Sequence, residues 1–393
     1  MSALKYWVWF ASAGSMGAAA AGRVLAHFGS PENVYYAGAA EYAAVEGIRQ
    51  NDVRQLTNKD LTAANDILSS CDEIGCRIIT LHDAQYPGRL RNTYDPPVVL
   101  YLRGKMPAID EEAAIAVVGT RNCTPYGRSA AESICCELGR RGLLVVTGLA
   151  KGIDTAAARG ALMGGGRVVG VIGSGLDVIY PRENKGLFDD VARDGTILSE
   201  YPPGTSANAW HFPARNRILS GLSLGVAVLE APKKSGALIT AARALEQGRD
   251  VFALPGNIDA KNSEGSNALL REGAIPLLSG ENIIEEYAQL YPDKIKPAKS
   301  DSMLDPGAAR HPAAAYKNKE IDNATEVEYI EKILAGLSGG EKVIAEAIGT
   351  SAMLADEIIA ASNISAPQAM SALTMLELKG HVERNSGGYY SIV

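Results

Sequence analysis

Short runs of uninterrupted apolar residues recur through the middle of this chain, each closed by a glycine or a turn and followed by an amphipathic stretch. Residues 114–118 end at Gly119, 143–147 at Gly148 and 167–172 at Gly173. The runs 196–200, 224–230 and 250–254 follow, and 274–278 fits as a seventh. A strand that is apolar at every position buries both of its faces, which happens when helices cover a parallel sheet on both sides. Strand-like runs alternating with helical stretches therefore predict an α/β domain, a Rossmann-like, doubly wound and mostly parallel sheet with right-handed crossovers. Ligands of such sheets sit outside the carboxyl ends of the strands. Those ends here are Gly119-Thr120-Arg121, Thr147-Gly148, Gly173-Ser174-Gly175 and the segment from Glu230 to Gly236.

The flanks have other rhythms. Residues 1–75 read as short helices, with a helix-turn-helix corner at Gly14-Ser15-Met16-Gly17 and helices over 39–50 and 61–71. The uncharged stretch 6–22 has the outline of a secretory signal, but its second half is too weakly apolar, and it falls short of the ~20 strongly apolar residues of a membrane span. Strands fit 77–81 and 98–102, on either side of an irregular, proline-punctuated segment. From 291 to 327 the chain turns polar, with Pro292, Pro297, Pro306 and Pro312, as a flexible linker would. Helices at 341–348, 353–361 and 366–379 and strands at 381–384 and 389–392 make a winged helix. The expected order is a helical domain 1–75, the α/β domain 76–290, a linker 291–327 and a winged-helix domain 328–393.

Charge changes the picture locally. The 393-residue chain is acidic overall, with a net charge of −7, which argues weakly against a nucleic-acid partner. Yet residues 119–152 hold five basic residues against two acidic ones, and residues 210–243 hold five against Glu230 alone. Glycine, 41 residues, exceeds the usual ~7%, as expected where backbone must approach something closely. The five cysteines, Cys71, Cys76, Cys123, Cys135 and Cys136, form no Cys-x-x-Cys, so neither a disulfide framework nor a zinc site is suggested. Reduced thiols and a cytoplasmic setting are expected, with no metal and no cofactor.

The strand-end loops suit anions. In Gly119-Thr120-Arg121 the glycine admits close backbone approach, the threonine hydroxyl can donate, and arginine can fork two phosphate oxygens. Gly148-Leu149-Ala150-Lys151-Gly152-Ile153-Asp154 makes a second tight turn, where Asp154 could cap a helix or orient N–H groups. Arg215-Asn216-Arg217 in the segment 212–222 is the densest signal, two arginines that could hold successive phosphates. Lys234-Ser235-Gly236 sits just before a helix, an anion-binding geometry. No Gly-x-x-x-x-Gly-Lys-[Ser/Thr] occurs, Gly173-Ser174-Gly175 lacks the Gly-x-Ser-x-Gly elbow, and paired catalytic carboxylates are not apparent at the loop ends. No catalytic residue is assigned.

These motifs, in this order, resemble the DprA family, also called Smf, of bacterial DNA-processing proteins. The matching stretches include Asp95-Pro96-Pro97, Val117-Val118-Gly119-Thr120-Arg121 and the Gly148–Asp154 turn. They continue through Gly173-Ser174-Gly175-Leu176-Asp177, Tyr180-Pro181 with Asn184, Phe212-Pro213-Ala214-Arg215-Asn216-Arg217 and Ser235-Gly236-Ala237-Leu238. The N-terminal helices resemble that family's sterile-alpha-motif-like (SAM-like) domain and the C-terminal segment its winged helix. The chain departs from the family in having Ala158 where a histidine is frequent, and Thr147 where serine is common. The resemblance implies a cytoplasmic protein of natural transformation that binds and protects single-stranded DNA, dimerises with itself and helps load a RecA-type recombinase, with no membrane partner. It implies a DNA site at Arg121, Arg215, Asn216, Arg217, Lys234, Ser235 and Gly236, to which the strand-end loops and matching stretches add Gly119, Thr120, Gly148, Lys151, Gly173, Ser174 and Asn184 as expected DNA contacts. The alternative is a nucleoside-monophosphate phosphoribohydrolase-like enzyme on the same fold. Its catalytic glutamate is missing, since Ala241 and Ala242 follow Thr240. The third helix of the winged domain holds Glu377 and, as its basic residue, Lys379, which disfavours phosphate contact there.

Overall fold

The computed structural model describes residues 3–13, 16–297 and, towards the C-terminus, 337, 339–348, 353–362, 364–379, 381–384 and 389–392. These fall into two compact units, Met1–Ser300 and Asp301–Val393.

The first unit is built on nine strands: β1 Arg77–Thr80, β2 Val99–Gly104, β3 Ala114–Val118, β4 Leu144–Thr147, β5 Val168–Ile172, β6 Thr196–Ser199, β7 Gly225–Val228, β8 Asp250–Ala253 and β9 Ile275–Pro276. Their order is β1-β2-β6-β5-β4-β3-β7-β8-β9. The pairs from β6 through β9 are parallel, while β2 joins both β1 and β6 antiparallel. Continuous apolar runs become central strands because each face has its own cover. In β3, Ile115 and Val117 enter one core, and Ala114, Ala116 and Val118 the other. Helices Pro125–Arg140 and Ile153–Met163 supply the first layer through Ile134, Leu138, Ile153 and Ala157. Helices His211–Gly221 and Gly236–Glu246 supply the second through Ile218, Leu219, Ala237 and Ala241. The doubly wound sheet expected from the pattern is present. Ala158 is wholly buried in the first layer.

Among the described residues, six helices precede the sheet: Leu4–Ser12, Ala18–Phe28, Pro31–Tyr36, Ala39–Ala43, Gln50–Thr57 and Thr62–Glu73. The uncharged stretch folds as the first two, and Trp7, Val8, Trp9 and Phe10 share one core with the sheet residue Tyr101. Of the expected corner, Met16 and Gly17 directly precede the second helix, while Gly14 and Ser15 fall outside the described residues. The single helix expected over 39–50 is two pieces. Gly47 takes a positive φ of 71°, and Arg23 holds the break open by donating to the carbonyls of Glu46 and Gly47. That contact comes from a distant helix and has no trace in the local pattern.

Residues 291–297, expected to begin the linker, pack on the α/β layer. Ile295 is buried, and the Lys296 amide donates to the Arg141 carbonyl at 2.8 Å. The rest of the expected linker, 298–327, lies outside the described residues.

The second unit has helices Gly340–Ile348, Ala355–Ser362 and Ala366–Leu378, with β10 Met353–Leu354, β11 Val382–Arg384 and β12 Tyr389–Ile392. The strand order is β10-β12-β11. Ile344, Ile358, Leu373, Leu376 and Val382 form its core. This is the winged helix expected, with Met353 and Leu354 moved from a helix start to a short strand paired with Tyr390 and Tyr389. No helix among the described residues is long and apolar enough to cross a membrane.

Candidate functional site

The strand order reverses between β3 and β7. The chain leaves β3 towards one face of the sheet and β7 towards the other, so a crevice opens between the two loops. A cavity of about 360 Å³ occupies it, lined among others by Thr120, Arg121, Asp154, Arg215, Asn216 and the Lys234-Ser235-Gly236 turn. That volume lies in the range of small-ligand sites.

The loop after β3 is tethered by a residue that sequence reasoning treated only as a strand end. The carbonyl of Glu230 accepts from the Thr120 amide at 2.7 Å, and its buried carboxylate accepts from the Thr124 amide and hydroxyl at 2.8 and 2.6 Å. Thr124 in turn caps the following helix, its hydroxyl oxygen accepting from the Gly127 amide. Gly119 must lack a side chain, since a Cβ would come within 2.5 Å of Ile153. Arg121 is exposed and lies over the Phe212 ring, 4.7 Å from its centre. Across the crevice, Ser235 caps the helix Gly236–Glu246, accepting from the Ala237 amide at 3.2 Å. Lys234 and Gly236 are exposed, and a Cβ on Gly236 would meet nothing within 4 Å, so this turn stands open to a ligand. The Asn216 amide donates to the Gly236 carbonyl at 3.2 Å and fixes the turn to the helix His211–Gly221.

Arg215 forms the floor. It is 4% exposed and donates to the Val171 carbonyl, while its Nε has no partner among the described residues. Asp154, 6% exposed, is the acid beside it. Burial pulls the Arg215 guanidinium down to about 10, against the attraction of Asp154, and burial likewise pushes the Asp154 carboxyl up. Arginine with such a value is still charged near neutral pH. Asp154 stands in the first turn of its helix, whose cap is Gly152, so it serves as the countercharge and not as the cap. Gly148 lies between the two charged groups: a Cβ there would collide with the Arg215 guanidinium and reach 2.6 Å from an Asp154 oxygen. Gly148→Ala is therefore expected to lower stability by ~1–3 kcal/mol through overpacking, read as a fall in the thermal midpoint.

The sequence-predicted residues divide. Gly119, Thr120, Arg121, Arg215, Asn216, Lys234, Ser235 and Gly236 come together around the cavity, with Gly148 beneath it. Arg217 does not join them. Two residues along a helix turn the side chain by about 200°, so Arg217 faces away from Arg215. Its Nε donates to the Asp95 carbonyl at 3.0 Å and lies 3.2 Å from the Asp95 carboxylate, and its Nη2 bonds Glu200 at 2.7 Å. The reading that both arginines face a ligand is corrected: of the two, Arg215 alone lines the cavity. Gly173 and Ser174 shape a turn outside the cavity lining: the Gly173 carbonyl contacts the His211 ring at 2.9 Å, and Ser174 donates to the Val178 carbonyl. Asn184 is buried, donating to the Leu149 carbonyl and the Thr155 hydroxyl. With Lys151 it lines a neighbouring cavity. Ala158 lines neither cavity. The described residues contain no cluster of His, Cys, Asp and Glu that could hold a metal.

The sequence model of the DNA recombination-mediator protein A family matches residues 77–288, and that of the DprA winged helix domain matches residues 332–388. Among curated proteins, the DNA processing protein DprA of Bacillus subtilis is 44% identical over 223 residues, 57% of this chain and 75% of its own length. Protein Smf of a Synechocystis species is 30% identical over 407 aligned positions, covering 98% of both chains. Among solved structures, DNA processing protein A from Streptococcus pneumoniae superposes with a TM-score of 0.64 at 37% identity, over 72% of this chain and 97% of that one. A second, from Helicobacter pylori, was solved for its single-stranded DNA binding mode. It superposes with a TM-score of 0.50 at 31% identity, over 55% of this chain and 97% of that one.

Proposed function

The chain belongs to the DNA recombination-mediator protein A family, DprA or Smf, and from that premise we propose that it is a cytoplasmic DNA-processing protein that binds single-stranded DNA in the crevice between β3 and β7. In this reading a backbone phosphate is held by Arg121 and Lys234 at the rim, the open N–H groups of the Ser235-Gly236 turn and the Arg215 charge beneath. One observation carries it: the sheet's switch point gathers three cations, Arg121, Arg215 and Lys234, around a cavity whose described lining holds Asp154 as its acid, so that positive charge is in excess. The H. pylori relative supports the choice of a single strand as ligand. The four-part division is kept as a proposal, with single-strand binding in the second part and that part extended from 290 through the packed residues 291–297. Delivery of the strand to a RecA-type recombinase, self-association as a homodimer and a part in natural transformation are likewise proposed on the family's account.

Phosphate contact makes affinity depend on salt, each neutralised phosphate contributing roughly −0.7 to the slope of log K against log salt for single strands. Arg121→Ala combined with Lys234→Ala is expected to weaken binding to oligo-dT and to mixed sequences alike, and to flatten the slope by roughly 0.7–1.4. Fluorescence anisotropy across a salt series measures both. A double variant with the wild-type slope would remove the assignment. No catalytic role is proposed. Asp154 is fixed beside Arg215, and Ala241 and Ala242 follow Thr240 where the hydrolase pattern has its glutamate. Incubation with AMP is expected to release no free base.

A further inference from the structure

Arg121 lines two cavities, not one. The second, of about 460 Å³, is lined by the loops after β3 and β4, the turn Arg182–Asn184 and the N-terminal parts of the helices Pro125–Arg140 and Ile153–Met163. Four cations line it, Arg121, Arg128, Lys151 and Arg159, against Glu132 and Glu183. In a chain of net charge −7 this is a local excess of positive charge assembled from four separate segments.

The enclosure is built in advance of any ligand. A Cβ on Gly152, whose φ is 75°, would stand 2.6 Å from the Arg121 carbonyl, so the two loops touch backbone to backbone. The Thr120 carbonyl accepts from the Ile153 amide across the same contact at 3.2 Å. The two helices also meet without side chains between them, since a Cβ on Gly160 would come within 2.8 Å of the Glu132 Cα. Arg128 and Arg159, both exposed, are thus carried on helices that cannot shift independently. Lys151 and Glu183 close the rim with a salt bridge of 2.7 Å between half-exposed side chains. Such a pair is worth little by itself and opens readily. The Asn184 bonds described above hold its base.

Resting on the single-strand reading of the first cavity, we propose that this second cavity holds an adjoining backbone phosphate of the same strand, with Arg121 standing between the two phosphates and Arg128 and Arg159 as its ligands. The lining supports a phosphate and not a base. Among the described residues no aromatic ring lines the second cavity, whereas Phe212 lines the first beneath Arg121. Bases seek aromatic faces and phosphates seek cations. The single strand therefore runs from the β3–β7 crevice over Arg121 towards the paired helices, and the site covers more than one nucleotide.

The test uses the full chain with Arg128→Gln and Arg159→Gln together, both exposed positions, with a thermal melt to show that the fold is kept. Oligo-dT of graded length is titrated over a salt series. The double variant is expected to bind long oligo-dT with a slope flatter by roughly 0.7, one phosphate's share. It should bind the shortest oligomer that the wild type retains as well as the wild type does. Arg128→Lys with Arg159→Lys, which keeps the charge, should restore the slope. A wild type that binds while the glutamine variant keeps its slope and length dependence overturns this inference alone. A wild type without salt-dependent binding removes the single-strand reading as well. Saturable binding of AMP that vanishes in the glutamine variant, with the oligo-dT slope unchanged, assigns the cavity to a free nucleotide and overturns the strand reading of it.

Discussion

Replacing Arg217 by alanine is expected to lower the unfolding free energy by about 3 kcal/mol and to leave the salt slope of single-strand binding where it was. The residue is 7% exposed, and its guanidinium holds the carbonyl of Asp95, the carboxylates of Asp95 and Glu200, and the carbonyl of Ala214. Burial alone would lower its pKa, yet the value is raised, because Glu200 and Asp95 outweigh the loss of water. Removing it leaves two carboxylates facing each other, one of which, Asp95, burial already pushes up. Breaking a buried pair costs ~3–5 kcal/mol, and the partial exposure of both carboxylates places this case at the lower end. Urea unfolding measures the loss. The slope stays because Arg217 does not line the crevice. A flattened slope in a variant shown to be folded would return Arg217 to the phosphate site and undo the division drawn between the two arginines.

Arg215→Ala is the second large effect, and it differs in being felt in both stability and binding. The substitution removes the donor to the Val171 carbonyl and leaves Asp154 buried without its countercharge. An uncompensated buried charge puts the loss at about 3 kcal/mol or more at neutral pH. The pH dependence follows from Asp154. Burial already raises its carboxyl above the ordinary range, and without Arg215 it must rise further. A group with a raised folded pKa contributes stability that is complete below its unfolded value and is lost as pH rises through the folded one. The deficit of Arg215→Ala relative to the wild type should therefore be smallest in acid and grow towards neutral pH. Asp154→Asn added to Arg215→Ala should recover part of it, since both charges are then gone. An equal deficit at all pH values would mean that Asp154 does not feel Arg215. Affinity for oligo-dT should fall as well, since one of the crevice's three cations is gone and Asp154 is left unopposed beneath it.

Arg215 and Arg217 also show where sequence reading stops. Their spacing in a helix implies opposite directions, and that much follows from 3.6 residues per turn. Which of the two meets solvent and a ligand depends on which strand ends lie against each side. Val171, Asp154, Asp95 and Glu200 come from four distant points of the chain, and only the folded sheet brings them to this helix. Glu230 makes the same case. In the sequence it closes a strand, whereas in the structure it is the anchor of the loop that presents Arg121.

The sequence by itself determined the layers. Unbroken apolar runs such as 114–118, too short for helices and closed by glycine, read as strands buried on both faces, so the doubly wound sheet, its strand ends and the glycine-rich loops at them were all legible, as was the winged helix. Those are local properties, fixed by periodicity and by backbone that glycine alone permits. Tertiary structure decided which loops share a crevice, because the reversal of strand order at β3 and β7 is a long-range pairing that no local pattern encodes. It decided that Arg217, Ser174 and Asn184 serve the scaffold, because burial and partners are set by packing. It also joined Arg121, Arg128, Lys151 and Arg159, scattered over 39 positions of an acidic chain, into one positive cavity beside the first.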